Sequence, residues 1–246
     1  MNPSLNIFET TEDTARAVAE LILAKAKEKN KLSLPFNIAI SGGSTPKLLF
    51  TLLASEYVDS IPWHFVRLFW VDERCVSPTH AESNFGMTYQ KLLKHVPLHE
   101  ANIFRMQGEG DPQKEVTRYQ ALLEKELPMT NGYPQLDLVL LGMGDDGHTA
   151  SIFPNDMSLL DTELAVAIGV HPVSGQKRIT LTGPTILHAK QVVFLITGDS
   201  KSELLRQIIQ NEPNNELYPA AHIHSIAGVA DYYLDKSAAK ELTTKK

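Results

Sequence analysis

The chain has 246 residues, 43% of them hydrophobic and 21% charged, with a formal net charge of −6. That composition fits a soluble globular protein large enough for one α/β core or two small ones. The acidic balance, with no basic stripe against it, speaks against a general nucleic-acid binder, and the single cysteine, Cys75, excludes an internal disulfide framework and a multi-cysteine zinc site. The first 18 residues have no basic start and no long apolar segment, so no signal peptide is expected. No apolar run approaches the ~20 residues of a membrane span, and the expected location is the cytoplasm, without a membrane partner.

In chain order, Thr10 or Thr11 can cap a helix whose apolar positions are Ala15, Val18, Leu21, Ile22 and Ala26. Residues 37–40 read as a short strand that runs into Ser41-Gly42-Gly43-Ser44-Thr45-Pro46. The glycines permit a tight turn, Ser44 or Thr45 can serve as N-cap, and Pro46 suits the first helical position. Leu48, Leu49, Leu52 and Leu53 supply the face of the helix that follows. Strand, glycine turn and helix N-terminus together aim free backbone N–H groups at an anion. The stretch matches neither the P-loop nor the dinucleotide pattern, and an ordinary strand–helix turn is the alternative.

Residues 66–71 form the next strand candidate and end in Asp72-Glu73-Arg74, either a functional cluster or a salt-bridged turn. A polar loop over 77–84 precedes a helix through Tyr89, Leu92 and Leu93. Asp111-Pro112 starts another helix, with Val116, Tyr119, Leu122 and Leu123 on its face, and Pro128 ends it.

The most informative stretch is 136–154, LDLVLLGMGDDGHTASIFP. Leu138–Leu141 is apolar enough for a strand buried on both faces. It breaks into Gly142-Met143-Gly144-Asp145-Asp146-Gly147-His148, where glycines allow a sharp turn and close approach of a ligand. Two carboxylates and a histidine sit at its end, and small residues after it are expected to open a helix. A buried strand feeding such a turn is where α/β folds place their chemistry.

Residues 164–170 and 178–182 are strand-like, and 191–197 is a further buried strand. Then come Gly198-Asp199-Ser200-Lys201-Ser202-Glu203 and the apolar Leu204, Leu205, Ile208 and Ile209. Ser200 and Glu203 fit a capping box, which puts Lys201 in the first turn, where the helix dipole disfavours a cation. A bound anion would account for it; a tolerated surface lysine is the alternative. A strand over 229–234, a short helix over 238–242 and a frayed tail at 243–246 complete the reading. No linker, repeat or composition break interrupts the chain. The expectation is one domain over 1–246, an α/β fold with an open, mostly parallel sheet and helices on both faces.

Five segments in this order are similar to the 6-phosphogluconolactonase family: Ser41 to Pro46, Asp72-Glu73-Arg74, Gly142 to Pro154, Arg178-Ile179-Thr180-Leu181-Thr182 and Thr197 to Lys201. The resemblance covers nearly the whole chain. It implies a modified Rossmann-like fold and hydrolysis of 6-phospho-D-glucono-1,5-lactone to 6-phosphogluconate, a step of the oxidative pentose phosphate pathway. Glucosamine-6-phosphate deaminases share part of the pattern but place a glutamate five residues beyond the histidine. Here that position is Phe153, which relays no proton, so the lactonase branch fits better. A sugar-phosphate sensor that has lost catalysis is a third reading, opposed by the presence of His148 and Asp146.

Under this resemblance His148 is the general base that activates water, with Asp146 orienting its imidazole. Asp72 matches a catalytic carboxylate of the deaminases and would bind sugar hydroxyls or steady Arg74. The phosphate falls to the backbone of Gly42, Gly43, Ser44 and Thr45, with Lys201 and one or both of Arg74 and Arg178. One arginine could instead face the lactone oxyanion. No cofactor and no metal are expected: there is no H-E-x-x-H or Cys/His cluster, and His222 and His224 lack an acidic neighbour. Cys75 reads as a packing residue, and Ser151 lacks the elbow of a serine hydrolase. The phosphorylated sugar lactone is the only partner expected, bound by a monomer or a homodimer.

Overall fold

The computed structural model describes residues 3–242, so the tail at 243–246 lies outside them. The chain runs through β1 (Ser4–Phe8), α1 (Thr11–Lys31), β2 (Phe36–Ile40), α2 (Ser44–Ser55), β3 (Val66–Trp70), β4 (Asp72–Arg74) and α3 (Asn84–Lys91). Next are β5 (Ile103–Phe104), α4 (Pro112–Glu126), the short β6 (Met129–Thr130) and β7 (Tyr133–Pro134), and β8 (Leu138–Leu141). The last part holds β9 (Val166–Val170), β10 (Lys177–Leu181), α5 (Gly183–Leu187), β11 (Val192–Ile196), α6 (Ser202–Ile209) and β12 (Asp231–Asp235).

Every residue of β2, β8 and β11 is buried, and strands buried on both faces require helices on both faces. They form the middle of a seven-stranded sheet of order β1-β12-β11-β8-β2-β3-β5, in which each pairing is parallel. α1 lies along β12, β1 and β2 and packs on α2. Its buried positions Ala15, Val18, Ile22 and Ala26 fall at helical spacing, and Thr10 closes a capping box with Asp13. α4 is fixed beside the other half of the sheet by Tyr119, whose hydroxyl donates to the Phe104 carbonyl (3.0 Å) and accepts the Trp70 N–H (3.2 Å).

The strand order reverses between β2 and β8. From β2 the chain adds β3 and β5 on one side, then returns to build β8, β11 and β12 on the other. Loops leaving the carboxyl ends of β2 and β8 therefore turn away from each other and leave a crevice at that point.

Several expectations need correction. The chain does not end a strand at Asp72-Glu73-Arg74; these residues cross into a second, antiparallel sheet of order β4-β10-β9. β1 had no sequence signal, being five residues with alternate apolar side chains half exposed. No helix follows His148. Residues 149–152 close a tight turn, with Ala150 at φ +52° and the residue before Pro154 steered away from helix. Residues 238–242 form turns, too short a span to nucleate a helix. α2 is capped by Gly43 instead of Ser44 or Thr45, and α6 begins at Ser202, behind a 3-10 turn over Asp199–Lys201, so Ser200 forms no capping box. No helix among the described residues is long and apolar enough to cross a membrane.

The sheet's central pair is anchored at its other end by Asp137, buried just before β8. It accepts the Asn37 N–H (3.0 Å) and pairs with Lys29 (2.6 Å) and Lys190 (2.8 Å). Burial resists its charge, but hydrogen bonds from the two lysines win and hold its pKa below the usual carboxylate value. A depressed folded-state pKa gives stability that is present above ~pH 4 and lost as pH falls through the folded value. Asp137→Asn should cost about 1–3 kcal/mol at pH 7, reduced from a fully buried pair because Lys190 is half exposed. Urea unfolding should show the gap to wild type closing as pH is lowered below ~4; an unchanged gap would remove the carboxylate's charge from the explanation.

Candidate active site

The crevice at the β2/β8 reversal is a cleft of about 190 Å³. Its walls include Ser41, Gly42, Gly43, Ser44, Thr45, Asp72, Arg74, Asn84, Gly142, Gly144, His148, Arg178 and Lys201. Every site residue expected from the sequence thus lines one cavity, except Asp146, which stands behind His148 as its partner.

The floor comes from β2. The Ser41 hydroxyl donates to the Leu140 carbonyl (2.8 Å), tying the ends of β2 and β8 together. Gly43 then turns the chain at φ +109°, a conformation open to glycine, and α2 starts at once. No side chain caps α2 and no acid lies in its first turn, so its free N–H groups and positive dipole end face the cleft.

The loop after β8 carries the ionisable pair. His148 Nδ1 meets Asp146 Oδ1 at 2.5 Å, and the same oxygen accepts the His148 backbone N–H at 3.1 Å. Burial works against the Asp146 charge, yet these bonds outweigh it and hold the carboxyl below its ordinary value. With Nδ1 donating to a carboxylate, Nε2 is left as the acceptor. The loop is closed by Gly144 N–H to His148 C=O (2.9 Å) and Gly147 N–H to Gly144 C=O (3.1 Å). Gly144 is required for space: a Cβ there would sit 2.2 Å from the His148 ring. The Tyr218 ring packs against Gly147 in the same way, 2.7 Å from where a Cβ would stand.

Asp72 is 5% exposed and also lines the cleft. Its oxygens accept the Ser151 hydroxyl (2.6 Å) and the Asn84 amide (3.1 Å). Asn84 was not foreseen. It is set by Glu73, whose buried carboxylate accepts the N–H groups of Asn84 and Phe85 (both 2.8 Å) and the Ser83 hydroxyl (3.0 Å) at the start of α3. Burial raises the Glu73 pKa against the pull of these donors. The Asp-Glu pair is therefore no salt-bridged turn: one carboxylate faces the cleft and the other caps a helix. The only trace of Asn84 in the sequence is its position beside Ser83, a good N-cap after a polar loop.

Three cations gather here, Arg74, Arg178 and Lys201, and none of them forms an ion pair among the described residues, although Asp72, Glu82 and Asp146 lie near enough to attract Arg178. Arg74 and Arg178 stand directly opposite each other on β4 and β10, a pairing of like charges that costs stability. Arg74 donates to the Glu82 carbonyl (2.7 Å), and its buried Nε has no partner among the described residues. Arg178 bonds Gln176 (3.3 Å) and lies over the Phe153 ring at 5.5 Å. Burial, and then the charge of Arg74, lower the Arg178 pKa. Lys201 lines the cleft from the loop after β11 and forms no ion pair among the described residues. Such a grouping gains most from an anion.

Other sequence candidates stay outside this chemistry. Cys75 is half-buried, and burial pushes its thiol pKa up, away from nucleophile character. His222 and His224 bond backbone carbonyls, and no group of three or more His, Cys, Asp or Glu among the described residues is arranged to hold a metal.

Fold and cleft define an open α/β protein with a cation-lined cleft and a histidine–carboxylate pair at the strand-order reversal. Residues 9–231 match the model of the family described as glucosamine-6-phosphate isomerases/6-phosphogluconolactonase, and the chain belongs to that family. It is 42% identical over 233 residues to a 6-phosphogluconolactonase of Aggregatibacter actinomycetemcomitans, spanning 94% of this chain and 98% of the relative. A Haemophilus influenzae 6-phosphogluconolactonase is 41% identical over 230 residues, 93% and 97% of the two chains. The crystal structure of 6-phosphogluconolactonase from Leishmania guyanensis superposes with a TM-score of 0.87 at 30% identity, covering 98% of this chain and 99% of that one.

Gly144→Ala should separate His148 from Asp146 without backbone strain, since Gly144 is not among the positive-φ glycines. The imidazole tip can swing into the open cleft, so unfolding free energy should shift by less than about 1 kcal/mol. In proton NMR the downfield Nδ1–H resonance of the wild type should be lost in the variant. Its survival would show that the pair does not depend on the bare glycine.

Proposed function

We propose that this protein hydrolyses 6-phospho-D-glucono-1,5-lactone to 6-phosphogluconate. The observation that carries the reading is a His–Asp pair, its Nε2 without a hydrogen-bond partner among the described residues, beside a cleft lined by three cations that form no ion pair among those residues. The family and the names of its relatives support the same reaction.

In this reading the phosphate binds the N-terminus of α2 through the backbone of Gly43, Ser44 and Thr45, with Lys201 supplying charge. His148 Nε2 takes a proton from water, whose oxygen bonds to C1 of the lactone. One of the two facing arginines meets the tetrahedral oxyanion. Collapse breaks the bond between C1 and the ring oxygen, and the imidazolium returns its proton to that oxygen. Asp146 holds the ring and stabilises its charged form, as the acid of a catalytic triad does. Asp72, fixed by Ser151 and Asn84, faces the sugar hydroxyls. We place the reaction in the oxidative pentose phosphate pathway and in the cytoplasm, and read residues 1–246 as one domain.

The deaminase alternative needs an acid beside the histidine. At that place the Phe153 ring lies 4.8 Å from the His148 ring and is buried. A phenyl ring there favours keeping the imidazole packed over sharing its proton.

An NMR time course of fresh lactone, corrected for its unaided hydrolysis, should show rapid conversion by the wild type, and glucosamine 6-phosphate should yield no ammonia. His148→Asn should lower kcat by about 10²–10⁴-fold, the scale of general-base catalysis. Ammonia released at a comparable rate would overturn the lactonase reading. Near wild-type turnover in His148→Asn would pass the role of base to Asp72.

A further inference from the structure

Asp235 ends β12 outside the cleft, is 3% exposed, and has no part in the chemistry above. Its carboxylate is nonetheless fully engaged. The Gly198 N–H is shared between both oxygens at 3.1 Å, while Oδ1 also accepts the Ala238 N–H (2.7 Å) and Oδ2 the Thr11 hydroxyl (2.7 Å). Gly198 stands at φ +87°, where β11 turns into the loop that carries Lys201. The 3-10 turn Asp199–Lys201 follows without a spare residue, and the Ser202 hydroxyl closes it on the Asp199 carbonyl (2.8 Å). On the other side of Gly198, Thr197 meets Thr45 hydroxyl to hydroxyl at 3.1 Å, which sets this loop against the N-terminus of α2. Asp235 anchors the turn to the body of the sheet, joining the start of α1, the end of β12 and the Lys201 loop at one buried carboxylate, whereas the turn's other side-chain ties, Ser200 to Asp145 (3.4 Å) and Lys240 to Asp199 (3.7 Å), are exposed.

We propose that Asp235 is a positioning residue for phosphate capture, holding the Gly198 turn so that Lys201 presents its ammonium beside the glycine loop. The proposal rests on the reading of Lys201 as a phosphate ligand. The His148 loop meets the Lys201 turn through the long, exposed Ser200–Asp145 hydrogen bond (3.4 Å) but is closed by its own backbone bonds and by Tyr218, so loosening the turn should leave it in place. The consequence is selective. Substrate bearing a phosphate should lose affinity, and substrate without one should not.

Steady-state kinetics on 6-phosphogluconolactone and on unphosphorylated gluconolactone, with Asp235→Ala, Asp235→Asn, Lys201→Ala and the double variant Asp235→Ala/Lys201→Ala, provide the test. Lys201→Ala should raise KM for the phosphorylated lactone by roughly 10–150-fold, the worth of a charge-assisted contact. Asp235→Ala should raise the same KM by about 5–30-fold, the cost of ordering about one residue on binding, with little change in kcat or in gluconolactone turnover. Asp235→Asn retains an acceptor for the Gly198 N–H and should restore most of the affinity. The double variant should be no worse than Lys201→Ala, because Asp235 acts through the lysine. Equal losses on both substrates, additive losses in the double variant, or a folded Asp235→Ala with wild-type KM would each overturn the proposal while leaving the phosphate role of Lys201 intact. Should Lys201→Ala itself fail to distinguish the two substrates, that role falls and the proposal falls with it. If Asp235→Ala does not fold, Thr11→Val, which removes one bond from the same carboxylate, should give a smaller loss of the same selective kind; an unchanged preference for the phosphorylated lactone in Thr11→Val would overturn the proposal.

Discussion

The reversal of strand order between β2 and β8 is the constraint from which the site follows. In a parallel sheet each strand hands its successor loop to the same edge, and loops from strands on the two sides of a reversal part company. Here the Ser41–Leu140 hydrogen bond clamps the two strand ends, and the parted loops supply the N-terminus of α2 on one side and the His148 turn on the other. β11 extends the same edge and contributes Lys201. Without the reversal these three loops would lie in a row, not around a cavity.

The second sheet supplies what the first cannot. A strand buried on both faces has no place for charge, and after Arg67 near its start β3 is apolar and buried from Leu68 to Trp70, as is Val71 beyond it. By leaving the main sheet at Asp72, the chain enters an antiparallel ladder whose edge faces the cleft. That crossing sets Asp72 against Ser151 and brings Arg74 level with Arg178. The facing arginines weaken the ladder and charge the cleft, a local instability of the kind found where function overrides packing. Acidic side chains elsewhere are used to hold loops: Glu73 caps α3, Asp146 orients His148, and Asp235 secures Gly198.

Much of this was legible in the sequence where local chemistry decides the outcome. Apolar runs marked β2, β8 and β11, and glycine turns behind them marked two of the site loops. Thr10 and Asp111 announced their helices through caps that the structure contains. Asp146 and His148 lie two residues apart, and the family resemblance suggested their pairing, although spacing did not show that Nδ1 is the nitrogen that meets the carboxylate. What the sequence withheld depends on partners far along the chain. Asn84 meets Asp72 across 12 residues, Ser151 meets it across 79, and Asp235 meets Gly198 across 37. The antiparallel β4-β10 pairing joins segments roughly a hundred residues apart, and no periodicity in either segment reveals it. The misplaced caps of α2 and α6 have one cause: Ser44, Thr45 and Ser200 had the right chemistry for capping, but loop geometry places glycine or a 3-10 turn there instead.

The central claim is that one cleft holds the phosphate at the α2 N-terminus and the reacting carbon at His148. A crystal structure with 6-phosphogluconate bound tests it most directly. The account predicts phosphate oxygens within hydrogen-bond reach of the Ser44 and Thr45 N–H groups and of Lys201 Nζ, with the C1 carboxylate beside His148 Nε2 and one of the facing arginines. A product bound in the opposite sense, with its carboxylate on the glycine loop and its phosphate at His148, would contradict it, as would a product seated outside the cleft.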